Sequence, residues 1–187
     1  MSLDFRTMSP KMFMQLFPGI ISYTKLPHRV ILPDRVIEIK HHGVTQPALG
    51  KRPSAETANV IPLESFGPTK QAPLGAVAHG RSGDKGDNCN IGLFARNAEE
   101  YSWLQNFLTV PRIKELLGDD WNESFKVERC EFPNILAVHY RLLDFLGGGG
   151  ASSTRIDMLG KGVAEYIRSK IVDVPVKFLD KPISWIE

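Results

Sequence analysis

Apolar and polar residues alternate along the second half of the chain in a pattern that predicts strands. Five segments have the length and the apolar spacing of strands: 74–79, 89–96, 124–131, 135–145 and 174–179. In the fourth segment Val138, Tyr140 and Leu142 share one face, and His139 and Arg141 share the other. The first set is predicted to lie in the core.

Two further segments have helical spacing. Residues 98–117 carry apolar residues at intervals of three and four, with Thr109 as a cap, Pro111 as a break and Gly118 as a stop. A second helix is predicted from Ser152 or Ser153 to about Ile171.

The predicted order is strand hairpin, helix, strand, strand, helix, strand. This is the split βαβ order of an α+β, ferredoxin-like fold, with an antiparallel sheet and helices on one face. The opposite face is expected to be open unless an N-terminal segment or a second copy of the chain covers it.

The N-terminal part has a different character. Residues 29–40 predict one or two strands, whereas residues 43–73 are rich in proline and glycine and predict a linker. We therefore expect an N-terminal extension and linker at residues 1–71 and the compact domain at residues 72–187.

Composition narrows the functional classes. Lys+Arg 23 against Asp+Glu 21 gives a net charge of +2, too balanced to favour nucleic acid as the main partner. No apolar run is long enough to span a membrane. Only two cysteines, Cys89 and Cys130, are present, so inert thiols in a reducing, cytoplasmic location are expected.

A polar segment separates the first two predicted strands. It lies between His79 and Ile91 and is longer than a simple hairpin turn needs. Positive φ at Gly83 and Gly86 would let backbone N–H groups converge on an anion. The candidate binding residues are Arg81, Ser82, Lys85, Asp87 and Asn88, and the candidate proton carriers are His79 and Asp84. A solvated hairpin tip is the alternative.

The second polar segment is Gly147–Gly150 followed by Ser152, Ser153 and Arg155. A glycine-rich loop that leads into a helix N-terminus offers N–H donors to a carboxylate, a phosphate or an oxyanion. Gly148, Gly149, Ser152, Ser153 and Arg155 are therefore candidate binding residues, with a mobile linker as the alternative. Both polar segments are expected to meet in one positively charged cradle.

His139 and Arg141 on the open face indicate either an interface or a site, with His139 as a further proton carrier and Arg141 as a further binding residue. No metal and no cofactor are expected, because the tandem His41 and His42 have no third ligand nearby.

The residues from Ala78 to Asp87, with Asn90-Ile91-Gly92, resemble a known signature, and so does the segment from Gly147 to Lys161. Together they resemble the C-terminal, ferredoxin-like domain of the acyclic terpene utilisation A (AtuA) family over residues 72–179. The resemblance implies a role in catabolism of acyclic terpenes, which proceeds through acyl-CoA thioesters. The large N-terminal domain usual in that family is absent from this chain.

Two functions are therefore expected as alternatives. The first is an enzyme or enzyme subunit of lyase or isomerase type, using non-covalent acid/base chemistry on a small carboxylate or acyl-CoA thioester. The second is a non-catalytic module that assembles, as a homo-oligomer or with a partner subunit, through its open sheet face.

Overall fold

The computed structural model describes residues 10, 12, 19–40, 46–47, 56–150 and 152–179. These residues fall into two compact units, one within residues 1–51 and one within residues 52–187. In the first unit, β1 (His28–Ile31) and β2 (Val36–Ile39) form an antiparallel hairpin. The pattern at residues 29–40 thus corresponds to two strands. His41 and His42 lie outside the described residues.

The second unit contains the remaining helices and strands. In chain order they are β3 (Thr69–Pro73), β4 (Ala78–Lys85), β5 (Asn88–Ala95), α1 (Ala98–Phe107), α2 (Val110–Leu117), β6 (Lys126–Phe132), β7 (Ala137–Leu143), α3 (Val163–Ser169), β8 (Ile171–Pro175) and α4 (Val176–Leu179).

Four of these strands form one antiparallel sheet in the order β4-β5-β7-β6. Helices α1 and α3 pack on one face of it, where the side chains of Ile91, Leu93, Val138, Tyr140 and Leu142 are completely buried. Their alternation along β5 and β7 directs one side of each strand to the core. This arrangement confirms the predicted α+β fold class with helices on one face of an antiparallel sheet.

The predicted helix over residues 98–117 forms two helices, as its internal proline indicates. Thr109 caps α2 by accepting a hydrogen bond from the N–H of Arg112 at 3.2 Å, and Gly118 follows its last residue. Pro111 lies in the first turn of α2, where the missing N–H has no cost.

The proline-rich segment differs from the prediction of a linker. Within it, β3 pairs with β8 in a separate two-stranded antiparallel sheet, with Thr69 opposite Pro175. Val172 and Val174 of β8 are buried, so this small sheet closes one side of the core. The last strand was predicted at residues 174–179, but it spans Ile171–Pro175, does not join the large sheet and is followed by the helix α4. The border between extension and compact domain, at residues 71 and 72, stays a prediction.

The polar segment after His79 also differs from the prediction, because it is strand rather than loop. The polar residues belong to β4, and only Gly86 and Asp87 form the turn to β5. Gly86 has a φ of +64°, whereas Gly83 lies in the strand and is not among the glycines with positive φ. The expected nest of N–H groups at Gly83 is therefore wrong, since those groups belong to an edge strand.

The second predicted helix is much shorter than expected. Residues 152–162 form turns, and α3 begins only at Val163. Gly160 has a φ of +60°, which a helix does not allow, and Ile156 is fully exposed. Ser152 and Ser153 consequently do not cap a helix.

Candidate functional site

The face of the large sheet opposite the helices carries rows of side chains set by the strand register. One row contains Arg81, Gly92, His139 and Cys130, which are direct partners across β4, β5, β7 and β6. The next row contains Gly83, Asn90, Arg141 and Glu128. Residues in one row have Cβ atoms about 5 Å apart, so each row acts as a local unit. This surface is called the open face below.

A groove of about 420 Å³ lies at the β4 side of the open face. It is lined by Arg81, Ser82, Gly83, Asp84, Lys85, Asn90, Gly92, Phe94, His139 and Lys161. Gly83 and Gly92 leave room between the longer side chains, although the Phe94 ring lies close over Gly92. The groove thus gathers polar groups from three strands and from the turns before α3.

Positive charge dominates this groove. Arg81 and Lys85 are exposed, and within the described part of the chain their side chains make no hydrogen bond or ion pair. The ammonium group of Lys161 lies 3.5 Å from Asp84 Oδ1. The Asp157 carboxylate accepts hydrogen bonds from the backbone N–H groups of Lys161 and Gly162.

Two buried donors in the second row lack acceptors. Asn90 Nδ2 and Arg141 Nε are inaccessible to solvent and have no hydrogen-bond partner. The terminal Nη2 of Arg141 is occupied, since it forms an ion pair with Glu128 at 2.8 Å. An unsatisfied buried donor costs about 1–3 kcal/mol, so two neighbouring ones indicate a place for acceptor atoms.

His139 is the groove's titratable group near neutrality. Burial, and then the positive charge of Arg141, lower the pKa of His139 below its ordinary value of 6.5. Its imidazole is therefore neutral at pH 7 and can accept a proton. Its Nδ1 lies 3.8 Å from the Sγ of Cys130. Cys89 is buried, whereas Cys130 is half-buried.

The two other predicted proton carriers, His79 and Asp84, and the predicted binding residue Ser82 differ in whether and how they contribute to the groove. His79 lies on β4 opposite Phe94, but it does not line the groove. Asp84 lines the groove beside Lys161. The hydroxyl of Ser82 accepts a hydrogen bond from the N–H of Ala164 at 2.9 Å, so it also connects β4 to α3.

The two glycine-rich segments do meet, but they do not form a positively charged cradle. The Asp87 carboxylate accepts the N–H of Gly148 at 2.7 Å, and Asn88 Oδ1 accepts the N–H of Asp144 at 3.1 Å. A Cβ atom on Gly149 would lie 2.6 Å from the carbonyl oxygen of Gly86. The side chains of Asp87 and Asn88 are thus used to hold the second segment, and anion binding by this segment stays a prediction.

The residues after these glycines are also occupied within the chain. The N–H groups of Ser152 and Ser153 donate to the carbonyl oxygen of Gly149 at 3.0 and 2.9 Å. Arg155 pairs with Asp120 at 2.8 Å and lies over the Phe145 ring. A helix N-terminus was expected directly after this loop. The structure does not have one there, because α3 begins only at Val163.

Two larger cavities lie elsewhere in the second unit. One of about 690 Å³ lies between the small sheet and helices α1 and α2, and one of about 660 Å³ lies beside Phe145 and Arg155. In the second cavity the arginine already has Asp120 as its partner. The smaller groove is the better candidate because it combines the free cations Arg81 and Lys85 with the unsatisfied amide of Asn90.

Three residues of this region were missing from the predicted site: Asn90, Lys161 and Cys130. The alternation of the predicted strand 89–96 places Asn90, Gly92 and Phe94 on one face, and this signal could have identified Asn90. Cys130 is nine residues from His139 in sequence, and only the β6–β7 register brings them together. Among the described residues no group of three or more His, Cys, Asp or Glu could hold a metal ion.

None of the described helices has the length and apolarity needed to cross a bilayer.

Comparison with known proteins gave one match. A family model described as the AtuA ferredoxin-like domain matches residues 72–173, more than half of the 187 residues. No curated protein and no solved structure matches the chain.

Proposed function

Because the chain belongs to the AtuA ferredoxin-like domain family, we propose that it is a terpene-utilisation protein whose groove binds a small organic acid or its acyl-CoA thioester. Branched and terpenoid acids are the proposed substrate class. The match confirms the family resemblance that the two glycine-containing motifs indicate. The free cations of the groove support the proposal of an anionic ligand.

The observation that carries the proposal is the pair of unsatisfied donors, Asn90 Nδ2 and Arg141 Nε. A carboxylate or thioester oxygen is an acceptor without a donor, so it complements them. Arg81 and Lys85 stand at the same groove without carboxylate partners, and Arg81 can bind a carboxylate through two parallel hydrogen bonds. One ligand anion in the groove would thus pair with the free cations next to the amide of Asn90.

The proposed chemistry is proton transfer of lyase or isomerase type. His139 lines the groove and is neutral at pH 7, which suits removal of a proton next to a carbonyl group. The cationic side chains would stabilise the negative charge that develops on the carbonyl oxygen. Asp84, held near Lys161, would orient that ammonium group rather than carry the proton.

Binding of 3-methylbutanoate and of its coenzyme A thioester, followed by titration calorimetry, tests this function. Arg81→Ala is expected to weaken binding about tenfold or more, since it removes a charged hydrogen-bonding partner. Arg112→Ala, on α2, is the matched control because it removes the same charge from the helix layer. Equal affinity of wild type and Arg81→Ala would refute the groove as the binding site.

Asn90→Leu gives an independent test. Its buried amide donor has no partner, so an apolar side chain of similar volume is expected to leave the melting temperature unchanged or raised. Ligand binding should fall in the same variant. A loss of stability without a loss of binding would show that Asn90 has only a structural role.

The second candidate function is the assembly module, and exposed apolar side chains favour it. Phe132 and Ile135 are 46% and 57% exposed, at the end of the hairpin formed by β6 and β7. Arg81→Ala and Asp84→Ala separate the two functions. If both variants keep ligand binding and lose only association with a partner or a second copy, the enzyme proposal is wrong.

A further inference from the structure

Cys130 and His139 lie side by side in the first row of the open face. They are direct partners across β6 and β7, and Cys130 Sγ is 3.8 Å from His139 Nδ1. Phe132 lies edge-on to the imidazole, with ring centroids 5.9 Å apart. The ring is thus held between the aromatic side chain and the thiol.

The charged side chains that lie next to this pair on its own face and strands are Arg141 on β7 and Glu128 on β6, and they form an ion pair with each other at 2.8 Å. Arg81 lies on β4, three strands away from Cys130. A neutral imidazole next to the thiol supplies the base that accepts its proton.

Cys89 provides the contrast within the same molecule. It lies on the helix side of the sheet, and burial, followed by the charge of Asp157, raises the pKa of its thiol to about 12. Its Sγ is in contact with Gly160 rather than with a base. Cys130 differs in being half-buried on the same face as the groove, on the strand next to His139.

We propose that Cys130 and His139 form a nucleophilic thiol–imidazole dyad that takes up the acyl group of a thioester bound in the groove. This inference rests on the proposed function, because it assigns the thioester form of the substrate to the same groove. It adds a covalent step to the non-covalent proton transfer described above.

The step is a thioester exchange without oxidation or reduction. The Cys130 proton moves to His139 Nδ1, the Sγ–acyl carbon bond forms, and the bond between the acyl carbon and the leaving sulfur breaks. The leaving thiolate takes the proton from His139 and departs as a free thiol. His139 is then neutral again, and the acyl group on Cys130 remains a thioester whose α-proton is activated for removal.

Intact mass spectrometry and peptide mapping test the dyad with two probes. The first is iodoacetamide, and the second is the N-acetylcysteamine thioester of 3-methylbutanoate. Both are expected to modify Cys130 and not Cys89 in the folded wild-type protein. Modification by the thioester should disappear in Cys130→Ser and persist in Cys89→Ser.

His139→Gln replaces the imidazole by an amide of similar size that cannot act as a base. The variant therefore tests whether His139 accepts the Cys130 proton or only packs beside the thiol. The thioester reaction at Cys130 is expected to slow by about a hundredfold near neutral pH and to lose its dependence on histidine titration. An unchanged rate and pH profile in His139→Gln, or equal labelling of both cysteines, would overturn the dyad.

Direct binding of 3-methylbutanoate to the wild-type protein keeps this inference distinct from the proposed function. If the free acid binds but the N-acetylcysteamine thioester leaves no acyl adduct on Cys130, the dyad alone is refuted. Absence of binding would refute the proposed function. Iodoacetamide labelling of Cys130 without acyl transfer would refute the assignment of a thioester substrate to the dyad.

Discussion

The hydroxyl of Ser82 accepts a hydrogen bond from the N–H of Ala164 at 2.9 Å. Ser82 lies on the edge strand β4, and Ala164 lies in the first turn of α3. The first N–H groups of a helix have no partner within it, so this bond supplies from a strand what a capping residue normally supplies. It also fixes the position of the turns that carry Lys161 into the groove.

Ser82→Ala should therefore reduce stability rather than only ligand binding. The expected loss is about 1 kcal/mol, the usual effect of removing a cap. Urea unfolding followed by circular dichroism measures it. Ser102→Ala is the control, because the Ser102 hydroxyl donates only to the carbonyl oxygen of its own helix, and its effect should be smaller. Equal losses in the two variants would contradict a capping role for Ser82.

Gly160 is predicted to tolerate no side chain. Its φ is +60°, and a Cβ atom there would lie 2.8 Å from the Sγ of buried Cys89. Gly86 has a similar φ of +64° with nothing within 4 Å of such an atom. Gly160→Ala should thus destabilise the protein by about 1–3 kcal/mol more than Gly86→Ala, since both share the backbone strain and only one adds overpacking. Chemical unfolding of both variants measures the difference, and equal effects would show that the core yields to the extra methyl group.

Arg129 is a buried cation at the centre of a hydrogen-bond network. It pairs with Glu131 at 2.7 Å and donates to the carbonyl oxygens of Leu108 and Gln105. Arg129→Leu should cost about 3–5 kcal/mol, because the buried partners lose their donor. Arg112→Leu, on the surface of α2, is the control and should change the free energy of unfolding by about 0.5 kcal/mol or less. A similar small effect at Arg129 would contradict the importance of this network.

His139 predicts a dependence of stability on pH. Its pKa in the folded protein lies below the ordinary 6.5, so the unfolded chain binds a proton first as the pH falls. Its contribution to stability is complete above about pH 6.5 and decreases as the pH falls below that value. The melting temperature of the wild type should consequently fall more between pH 7.5 and 5.5 than that of His139→Gln. His28→Gln, in the β1–β2 hairpin, is the control for losing a histidine, and it should keep the wild-type slope.

The sequence predicted the order of the elements because apolar spacing reports which residues face the core. Val138, Tyr140 and Leu142 were placed in the core from alternation alone, and all three are completely buried. The Thr109 cap and the Gly118 stop were likewise identified from the local chemistry of helix ends. The same alternation placed His139 and Arg141 on the opposite face, where the structure has them.

The polar strand β4 could not be predicted from its own residues. Glycine and charged side chains disfavour strands, and the segment forms one because β5 supplies hydrogen-bond partners along its length. Gly80 in that strand is explained only by the helix above it, since a Cβ atom would lie 2.7 Å from Arg168 Cδ. The end of α3 nearest the groove was set in the same way, by Asp157 and Ser82 rather than by a local cap.

The sequence by itself therefore determined the family, the fold class and the core residues Val138, Tyr140 and Leu142, because motif identity and apolar periodicity are properties of the linear chain. The tertiary structure alone decided which polar groups meet. The strand register makes Cys130 and His139 neighbours. The Gly148 N–H donates to the Asp87 carboxylate, so it is not available to an anion. Hydrogen-bond partners distant in the chain cannot be assigned until the strands are paired, and the positions of polar side chains depend on that pairing.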